Sequence, residues 1–307
     1  MAPLVPRMHL FEIDDQTWFP AFLRAKVQAA LTVAWTTHVP MLQTSSPAQL
    51  VARVLSSSLG QTIRDYVFID FCAGGGGPTP SIETHLNRTL TSSLSDKEEE
   101  PVLFVLTDLH PHTESWRAAA ALSPNLTYIP ESVDAANCPP DLISSYKTPS
   151  SSEKPKRKIF RLFNLAFHHF DDPLAKAILR NTVNTSDAFG IFELQQRNFL
   201  GFITCCLFGI GIFLCAPYYA FKWRSPATLL FTYLIPVLPF VLVFDGWMSA
   251  LRTRTPDEVE ALLRTCTDTE GGSGEEIAAS WEVRSGRETF MWPVGELNWI
   301  ICAKKER

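Results

Sequence analysis

The sequence predicts an α/β fold built on a mainly parallel sheet, and three observations lead to this prediction. Short apolar runs rich in β-branched and aromatic residues alternate with stretches of helical periodicity. Four consecutive glycines follow the first of these runs, where a strand would give way to a helix. A long apolar segment, residues 199–244, interrupts the alternation after the fifth predicted strand. It predicts a helical hairpin inserted into the sheet domain.

The composition is that of a folded protein and argues against nucleic acid as its main partner. Of the 307 residues, 46% are hydrophobic and 19% are charged, and the net charge is −5. Such a chain can bury a core. Its one basic run, residues 154–158, lies in a Ser/Pro-rich stretch, whereas phosphate binding needs clustered Lys and Arg. The seven cysteines are odd in number and fit no zinc spacing, which predicts reduced, buried thiols and no metal.

The chain is predicted to begin with helices, and strands that alternate with further helices follow. Residues 9–65 are predicted to be helical, with one helix at residues 21–36 and another from Pro47, and to cap a pocket. Five strands are predicted, at residues 66–71, 102–107, 126–129, 159–165 and 188–194. The helices between them are predicted at residues 80–90, 112–122 and 172–182. Asp172 is the predicted cap of the last of these, before Pro173.

The remaining segments complete the predicted order. Residues 144–158 are of low complexity and predict a mobile insertion. A helix at residues 256–265, capped by Thr255, precedes a loop at 270–276. Two antiparallel strands, at residues 280–284 and 297–303, then close the sheet. The corresponding domain division is a cap at 1–64, an α/β core at 65–198, a hairpin at 199–246 and a closing segment at 247–307.

Acidic residues follow the first three predicted strands, beginning beside the glycine cluster. The first strand leads into Asp-Phe-Cys-Ala-Gly-Gly-Gly-Gly, in which free glycine backbone can turn tightly and lie close to a ligand. Thr-Asp-Leu ends the second strand, where a carboxylate can accept hydrogen bonds from ribose hydroxyls. Asp134 follows the third strand, where it could meet an adenine amino group. The pattern indicates a nucleoside site, and a glycine run by itself would be only a flexible turn.

With Phe-His-His-Phe-Asp-Asp after the fourth strand, this order resembles the class I S-adenosylmethionine-dependent methyltransferases, in the ubiquinone-biosynthesis-like branch. The resemblance covers roughly residues 65–197 and implies a Rossmann-like sheet of seven strands, the last antiparallel. It implies that Asp70 and the glycines contact the methionine part, Asp108 the ribose and Asp134 the adenine. The full expected cofactor set is Asp70, Cys72, Ala73, Gly74, Gly75, Gly76, Asp108, Leu109, Asp134, Ala135 and Asn164.

The chain also resembles a narrower, largely uncharacterised group of methyltransferase-like proteins. The matching stretches are Phe-Glu-Ile-Asp-Asp-Gln-Thr-Trp-Phe-Pro near the start, Phe-Glu-Leu at residues 192–194, and Asp-Gly-Trp-Met-Ser-Ala-Leu-Arg-Thr at residues 245–253. That group implies no particular substrate.

Methyl transfer needs alignment of the acceptor, and a base only where the attacking atom must lose a proton. His168 and His169 are the candidate bases, and each could instead pack against the helix that begins near Asp172. The expected substrate pocket is Trp18, Phe167, Glu193 and Arg197. Glu193 and Arg197 could equally form an ordinary ion pair, and Trp18, near Asp14 and Asp15, could belong to a lid or to a helix start.

The apolar segment contains two uncharged runs, residues 199–221 and 226–244, and either is long enough to span a bilayer. The hairpin could span a membrane, dip into one leaflet or cover the acceptor pocket as a buried pair of helices. Membrane association is the prediction, with the catalytic domain facing the cytoplasm and a soluble cytoplasmic protein as the alternative. Membrane association in turn predicts a lipophilic methyl acceptor.

The sequence therefore predicts an S-adenosylmethionine-dependent methyltransferase that acts on a lipophilic small molecule or lipid. Two alternatives stay open: a cofactor-binding membrane protein without catalysis, and a methyltransferase that modifies a protein partner. The acceptor atom and the oligomeric state are not predicted.

Overall fold

The computed structural model describes residues 3–92, 100–147, 156–266 and 279–305. The strands are β1 (Tyr66–Asp70), β2 (Phe104–Leu106), β3 (Leu126–Tyr128), β4 (Lys158–Asn164), β5 (Ala188–Glu193), β6 (Trp281–Met291) and β7 (Gly295–Lys304). They form one sheet in the order β3-β2-β1-β4-β5-β7-β6. The predicted α/β sheet of seven strands is confirmed.

The helices surround this sheet or form the inserted segment. They are α1 (Ala21–Thr36), α2 (Pro47–Leu59), α3 (Thr79–Ser92), α4 (Thr113–Ala120), α5 (Pro140–Lys147), α6 (Asp172–Thr185), α7 (Phe199–Lys222), α8 (Pro226–Leu229), α9 (Val237–Arg252) and α10 (Pro256–Thr265). A π-helical turn, Leu230–Leu234, continues α8.

The register of the sheet places the carboxyl ends of the central strands at one edge. β1 is parallel to β2 and β4, and β4 is parallel to β5. Asp70, the last residue of β1, lies opposite Leu106 of β2 and Leu162 of β4. The strand order reverses direction between β1 and β4, which is the position where open α/β sheets bind ligands.

β7 is antiparallel to its neighbour β5. The amide of Lys304 donates to Asp187 O at 3.0 Å, whereas Asn298, nearer the start of β7, donates through Nδ2 to Gln195 O at 3.2 Å. Residue numbers therefore rise along one strand as they fall along the other. The predicted antiparallel last strand is confirmed.

Two compact units divide the chain. The first, here called the sheet unit, comprises Pro47–Glu193, Arg254–Arg287 and Trp299–Arg307, and the second, the hairpin unit, comprises Met1–Ser46, Leu194–Thr253 and Glu288–Asn298. The predicted four-segment division stays a prediction.

The core of the sheet unit is aromatic and aliphatic on both faces of the central strands. All five residues of β1 are buried. On one face, Phe68 stacks on Phe104 of β2 with ring centroids 4.8 Å apart and contacts Phe160 of β4 at 5.0 Å. The other face packs on α6 through Ile178 and its neighbours. Burial on two faces explains why these strands are continuous apolar runs.

The hairpin unit has a smaller core between α1 and α9. Phe19, Leu23 and Val27 pack against Leu238, Val241 and Leu242. α7 approaches α9 closely, because a Cβ on Gly209 would lie 2.4 Å from Val243 Cγ2 and one on Gly246 would lie 3.0 Å from Cys205 Sγ. Glycine at these two positions permits that approach.

Within the described residues, α7 is the one helix long and apolar enough to cross a membrane by itself. The segment from Pro226 to Leu234 and α9 pass the same test as a pair, but they are bent by 70° to each other. Pro236 lies at this break and cannot donate a helical hydrogen bond. The predicted apolar hairpin therefore has one arm that is a single continuous helix and one broken arm.

Several element predictions need correction. Residues 9–20, predicted to be helical, form turns and extended backbone, and α1 begins only after Pro20. Asp171 rather than Asp172 caps α6, since its Oδ1 accepts from Leu174 N at 2.9 Å. The predicted insertion at 144–158 begins inside α5, and residues 148–155 lie outside the described residues.

The closing strands are longer than predicted. β6 reaches Met291, although the prediction ended at residue 284, because charged residues and Gly286 conceal the strand pattern on an edge of the sheet. The predicted loop at 270–276 lies outside the described residues. The helix α10 matches its prediction, with Thr255 in a capping box with Glu258.

All seven cysteines are free thiols, as expected. The prediction that they are buried is wrong for Cys215, which is exposed because it lies on the outer part of α7, and Cys72 and Cys206 are half-buried.

Candidate active site

The glycine turn lies between β1 and α3 and has the backbone geometry that only glycine adopts without strain. Gly74, Gly76 and Gly77 have φ angles of 49°, 108° and 50°. The turn closes through a hydrogen bond of 2.7 Å from Gly76 N to Ala73 O. Gly75 is exposed, and a Cβ built there would meet nothing within 4 Å. Its backbone is therefore open to a ligand.

The carboxylate after β2 holds this turn from the neighbouring strand. Asp108 Oδ2 accepts from Gly74 N and its Oδ1 accepts from His110 N, both at 2.8 Å. Trp116 of α4 donates through Nε1 to Gly74 O, also at 2.8 Å. Leu109 beside Asp108 is exposed. Asp108 is only half-buried, and each carboxylate oxygen can accept a further hydrogen bond.

The loop after β3 connects to the same acidic group. Val133 N donates to Asp108 O at 3.0 Å, which brings Asp134 into the neighbourhood of Asp108. Asp134 is exposed, and its Oδ1 accepts from Ala136 N at 2.8 Å. The next residue, Ala135, is buried. The three expected acidic residues therefore stand at the carboxyl ends of β1, β2 and β3.

Asp70 is the most deeply buried of these three acids. Its Oδ2 accepts hydrogen bonds from Thr79 Oγ1 and, at 3.3 Å, from Asn164 Nδ2, and its Oδ1 accepts from Cys72 N at 3.2 Å. Burial raises the pKa of Asp70 to about 6, although these hydrogen bonds act in the opposite direction. Asp70 thereby links the end of β1 to the glycine turn, to α3 and to β4. Burial, with the carboxylates of Asp70 and Asp108, also raises the pKa of Cys72.

The end of β4 carries two unusual features. Asn164 Oδ1 is buried and has no hydrogen-bond partner among the described residues. Leu165, which follows it, has a φ of 52°, a strained conformation for a residue with a branched side chain. Unpaired buried acceptors and strained backbone are both costly and concentrate at functional sites.

Arg161 of β4 is a residue that the sequence analysis missed. Its guanidinium is wholly buried, lies 4.0 Å from the ring centroid of Phe71 and donates to Ala135 O at 3.2 Å. Its other partners are on α6 and just after it: Asn181, Thr182, Thr185 and Ser186. Burial lowers its pKa to about 10. The only signal in the sequence was an arginine within an apolar strand. The hydrogen bonds of Arg161 connect α6 and the loop that carries Asp134 to the sheet.

His168 and Glu193 form a buried pair after β4 and at the end of β5. Glu193 Oε2 lies 2.9 Å from His168 Nδ1, and Glu193 Oε1 accepts from His168 N at 3.2 Å. Both side chains are almost wholly buried. His169 is half-buried, and its ring centroid lies 4.2 Å from that of His168. The carboxylate fixes the position of the imidazole and favours a proton on Nδ1.

A second arginine, also missed from the sequence, holds the turn that carries these histidines. Arg254 donates to Phe167 O at 3.1 Å and to Phe170 O at 2.8 Å, and it pairs with Asp172 at 2.7 Å. Phe167 itself is buried against Phe163 and Phe170. The clamp keeps the Phe-His-His-Phe turn in one conformation.

Trp18 and Arg197, the other two residues expected in a substrate pocket, belong to the hairpin unit. Trp18 is 66% exposed and makes an edge contact with Phe19. Arg197 is buried, and its Nη1 lies 3.5 Å from Val5 O.

The first and last of the three stretches quoted for the narrower group contact each other inside the hairpin unit. Asp245 accepts from the amides of Ile13 at 2.7 Å and Asp14 at 2.9 Å. Glu12 pairs with Arg252 at 3.0 Å and accepts from Ser249 Oγ at 2.8 Å. These hydrogen bonds and the ion pair hold the N-terminal motif, here called the N-terminal strap, against α9. Burial, reinforced by Asp245, Asp15 and Glu12 and opposed by Arg24, raises the pKa of Asp14 to about 7.

The strand order and the antiparallel β7, with an acidic residue at the carboxyl end of each of the first three strands, are those of an α/β methyltransferase fold. No family model matches the chain, and no curated protein is similar to it in sequence.

Several solved structures with a similar arrangement are methyltransferases, and another is described as a pericyclic reaction enzyme. An O-methyltransferase family protein from Burkholderia thailandensis is 10% identical, with a TM-score of 0.40, over 85% of this chain and 57% of that one. Magnesium protoporphyrin IX methyltransferase from Synechocystis, with S-adenosylmethionine bound, is 8% identical, with a TM-score of 0.40, over 95% and 88% of the two chains. An O-methyltransferase from neocarzinostatin biosynthesis is 12% identical, with a TM-score of 0.38, over 85% and 57%. The chain spans about half the length of the first three structures that it matches.

Proposed function

We propose that this chain is an S-adenosylmethionine-dependent methyltransferase that acts on a lipophilic small molecule or lipid at a membrane. The observation that carries the proposal is the set of acidic residues after β1, β2 and β3, joined around a glycine turn with positive φ angles at the switch point of the sheet. The resemblance to the ubiquinone-biosynthesis-like branch rests on the same residues.

The described residues fit S-adenosylmethionine. The exposed backbone at Gly75 suits close approach of the methionine part, and the remaining acceptor capacity of Asp108 suits the two ribose hydroxyls. Asp134 is exposed and keeps one oxygen for an adenine amino group. Asp70 is buried too deeply to extend towards the cofactor, so we assign it to fixing the conformation of the glycine turn. The buried, unpaired Asn164 Oδ1 is a further acceptor at this edge.

In this proposal His168 is the base that accepts the proton lost by an attacking hydroxyl. The cofactor supplies an electrophilic methyl group, so the chain has only to align the acceptor, exclude water and accept that proton. Glu193 positions the imidazole through its Nδ1 and would stabilise it once it is charged. Arg254 holds the turn and keeps both histidines in place.

The membrane part of the proposal rests on the hairpin unit. Among the residues that the structure describes, 27 large hydrophobic residues are exposed; 24 belong to that unit, and Leu109, Leu122 and Leu174 are the other three. Exposed apolar surface on this scale marks a surface that meets lipid or a partner. A lipophilic acceptor would reach the enzyme from the membrane that this surface contacts.

Calorimetric titration with S-adenosylmethionine and S-adenosylhomocysteine tests the cofactor. Wild-type protein in detergent should bind both at micromolar concentration, and Asp108→Ala should lose at least about tenfold in affinity, since a hydrogen-bonded charged group contributes about 1.5–3 kcal/mol. Asp65→Ala is the matched control, because this exposed carboxylate lies at the opposite end of β1. Folded wild-type protein that binds neither compound would contradict the proposal.

A second experiment separates catalysis from binding alone. Transfer of labelled methyl groups to a membrane lipid extract should be lost in His168→Ala while the affinity for S-adenosylhomocysteine stays within about threefold, because a general base contributes about 10²–10⁴ to rate. Transfer to proteins of the extract and not to its lipids would favour a protein acceptor. Cofactor binding without any transfer would favour a cofactor-binding protein without catalysis.

A further inference from the structure

The outer part of the hairpin exposes apolar and aromatic side chains together. We define the hairpin tip as residues 210–235, the second half of α7 with the turn and α8. Its most exposed large hydrophobic residues, between 49% and 88% exposed, are Ile210, Leu214, Tyr218, Phe221, Tyr233, Leu234 and Ile235. The first half of α7 differs, since Gly201, Thr204, Cys205 and Gly209 are buried. The apolar exposure is therefore concentrated at the tip.

Three cations surround the turn of the same tip. Lys222 and Arg224 flank Trp223 there, and both are exposed. Lys26 of α1 donates to Ser225 Oγ at 2.6 Å and to Thr228 Oγ1 at 3.2 Å, so its ammonium lies beside the turn. Lys222 Nζ also lies 5.8 Å and 5.7 Å from the ring centroids of Tyr218 and Tyr219. The sequence from residue 194 to 244 contains no Asp or Glu.

The dimensions of the tip suit one leaflet better than a whole bilayer. From residue 210 to Lys222, α7 extends about 20 Å at 1.5 Å per residue, whereas the hydrocarbon core is about 30 Å thick. The returning arm is broken by 70°, and the part of α9 from Asp245 onward is fastened to the N-terminal strap. The contact of Lys26 with the turn would also force α1, with Arg24, across a spanned membrane.

We propose that the hairpin tip lies along the interface of one leaflet of a membrane that contains anionic phospholipids. Phe221 and Leu214 would enter the acyl region, and Lys222, Arg224 and Lys26 would meet the headgroup phosphates, with Trp223 and the tyrosines at the interface. The charge complementarity of a wholly basic tip selects anionic lipid as the occupant. This inference rests on the membrane part of the proposed function and is independent of methyl transfer.

Flotation of the full chain with vesicles tests this proposal. Wild-type protein should float with vesicles of phosphatidylcholine and phosphatidylserine and much less with phosphatidylcholine alone. Lys222→Gln with Arg224→Gln should weaken binding to the anionic vesicles roughly thirtyfold, because each basic residue near the surface contributes about fivefold. The matched control is Arg88→Gln with Arg117→Gln, which removes the same charge from exposed positions of the sheet unit and should change nothing.

A second set of variants tests how far the apolar side chains contribute to vesicle binding. Leu214→Ser with Phe221→Ser should lower binding to both vesicle types at least tenfold, and Leu122→Ser, an equally exposed leucine of the sheet unit, should not. Failure of wild-type protein to float with either vesicle would overturn the proposal, and so would equal flotation of wild-type protein and the Lys222/Arg224 variant. Self-association that is lost only in Leu214→Ser with Phe221→Ser, without flotation, would assign the tip to a second copy instead.

Chemical labelling distinguishes one leaflet from a complete span. Arg224→Cys in a Cys215→Ser background, bound to sealed anionic vesicles, should react with a membrane-impermeant maleimide without lysis of the vesicles. The Cys215→Ser protein alone supplies the background. Reaction only after detergent lysis would place residue 224 across the bilayer and overturn the single-leaflet arrangement. Binding of S-adenosylhomocysteine measured on the same samples reports separately on the proposed function.

Discussion

His168 and Glu193 show how a single contact changes the interpretation of two residues. From the sequence, Glu193 could have paired with Arg197, and His168 could have been a packing residue. Glu193 instead places both oxygens against His168, one on the ring and one on the backbone amide. A carboxylate used in this way positions an imidazole for proton transfer.

Glu193→Gln tests that positioning role. The amide keeps the shape of the side chain but removes the charge that would stabilise a protonated imidazole, so the rate of methyl transfer should fall roughly 10- to 100-fold. The affinity for S-adenosylhomocysteine, measured by calorimetry, should change by less than about threefold. Glu193→Asp should restore part of the rate. A parallel loss of affinity and rate would assign Glu193 a structural role.

Two adjacent glycines of the turn should respond differently to the same substitution. Gly76→Ala places a side chain at a φ of 108° and should destabilise the protein by about 1–3 kcal/mol. Gly75 has no neighbour within 4 Å of a built Cβ, so Gly75→Ala should leave the unfolding temperature unchanged. If a cofactor lies against Gly75, that variant should still lose affinity for S-adenosylhomocysteine. Unchanged affinity in both variants would contradict the assigned site.

At the scale of helices, the contact between α7 and α9 depends on glycine at one position. A Cβ on Gly209 would lie 2.4 Å from Val243 Cγ2, whereas a Cβ on Gly211, two residues further along α7, would meet nothing within 4 Å. The same helix therefore supplies a test and its control.

Gly209→Ala should destabilise the hairpin unit by about 1–3 kcal/mol, because the helices must separate to accommodate the methyl group. Gly211→Ala should be neutral or stabilise by up to about 1 kcal/mol, since alanine is the better helix former. Chemical unfolding in the same detergent measures both variants. Equal effects of the two substitutions would show that the close approach of α7 and α9 does not contribute to stability.

At the scale of the whole chain, periodicity and turn chemistry predicted most of the sheet. β1 to β5 and α10 were predicted with small boundary errors, because buried parallel strands are continuous apolar runs and the Thr255 cap has a local signature. β6 was truncated in the prediction because an edge strand tolerates charge. The interactions of Arg161 and Arg254 could not be predicted, since their partners are distant in sequence and only the fold brings them together.

The uneven distribution of exposed apolar residues leads to a prediction for the whole molecule. Of the 27 exposed large hydrophobic residues in the described ranges, 24 belong to the hairpin unit, so lipid should act on that unit. In hydrogen exchange followed by mass spectrometry, anionic vesicles should slow exchange in peptides from residues 206–235, because ordered helix shielded by lipid opens less often. Peptides from residues 66–130 should exchange at the same rate with and without vesicles. Vesicles of phosphatidylcholine alone supply the control, and protection spread evenly over both units would contradict docking through the tip.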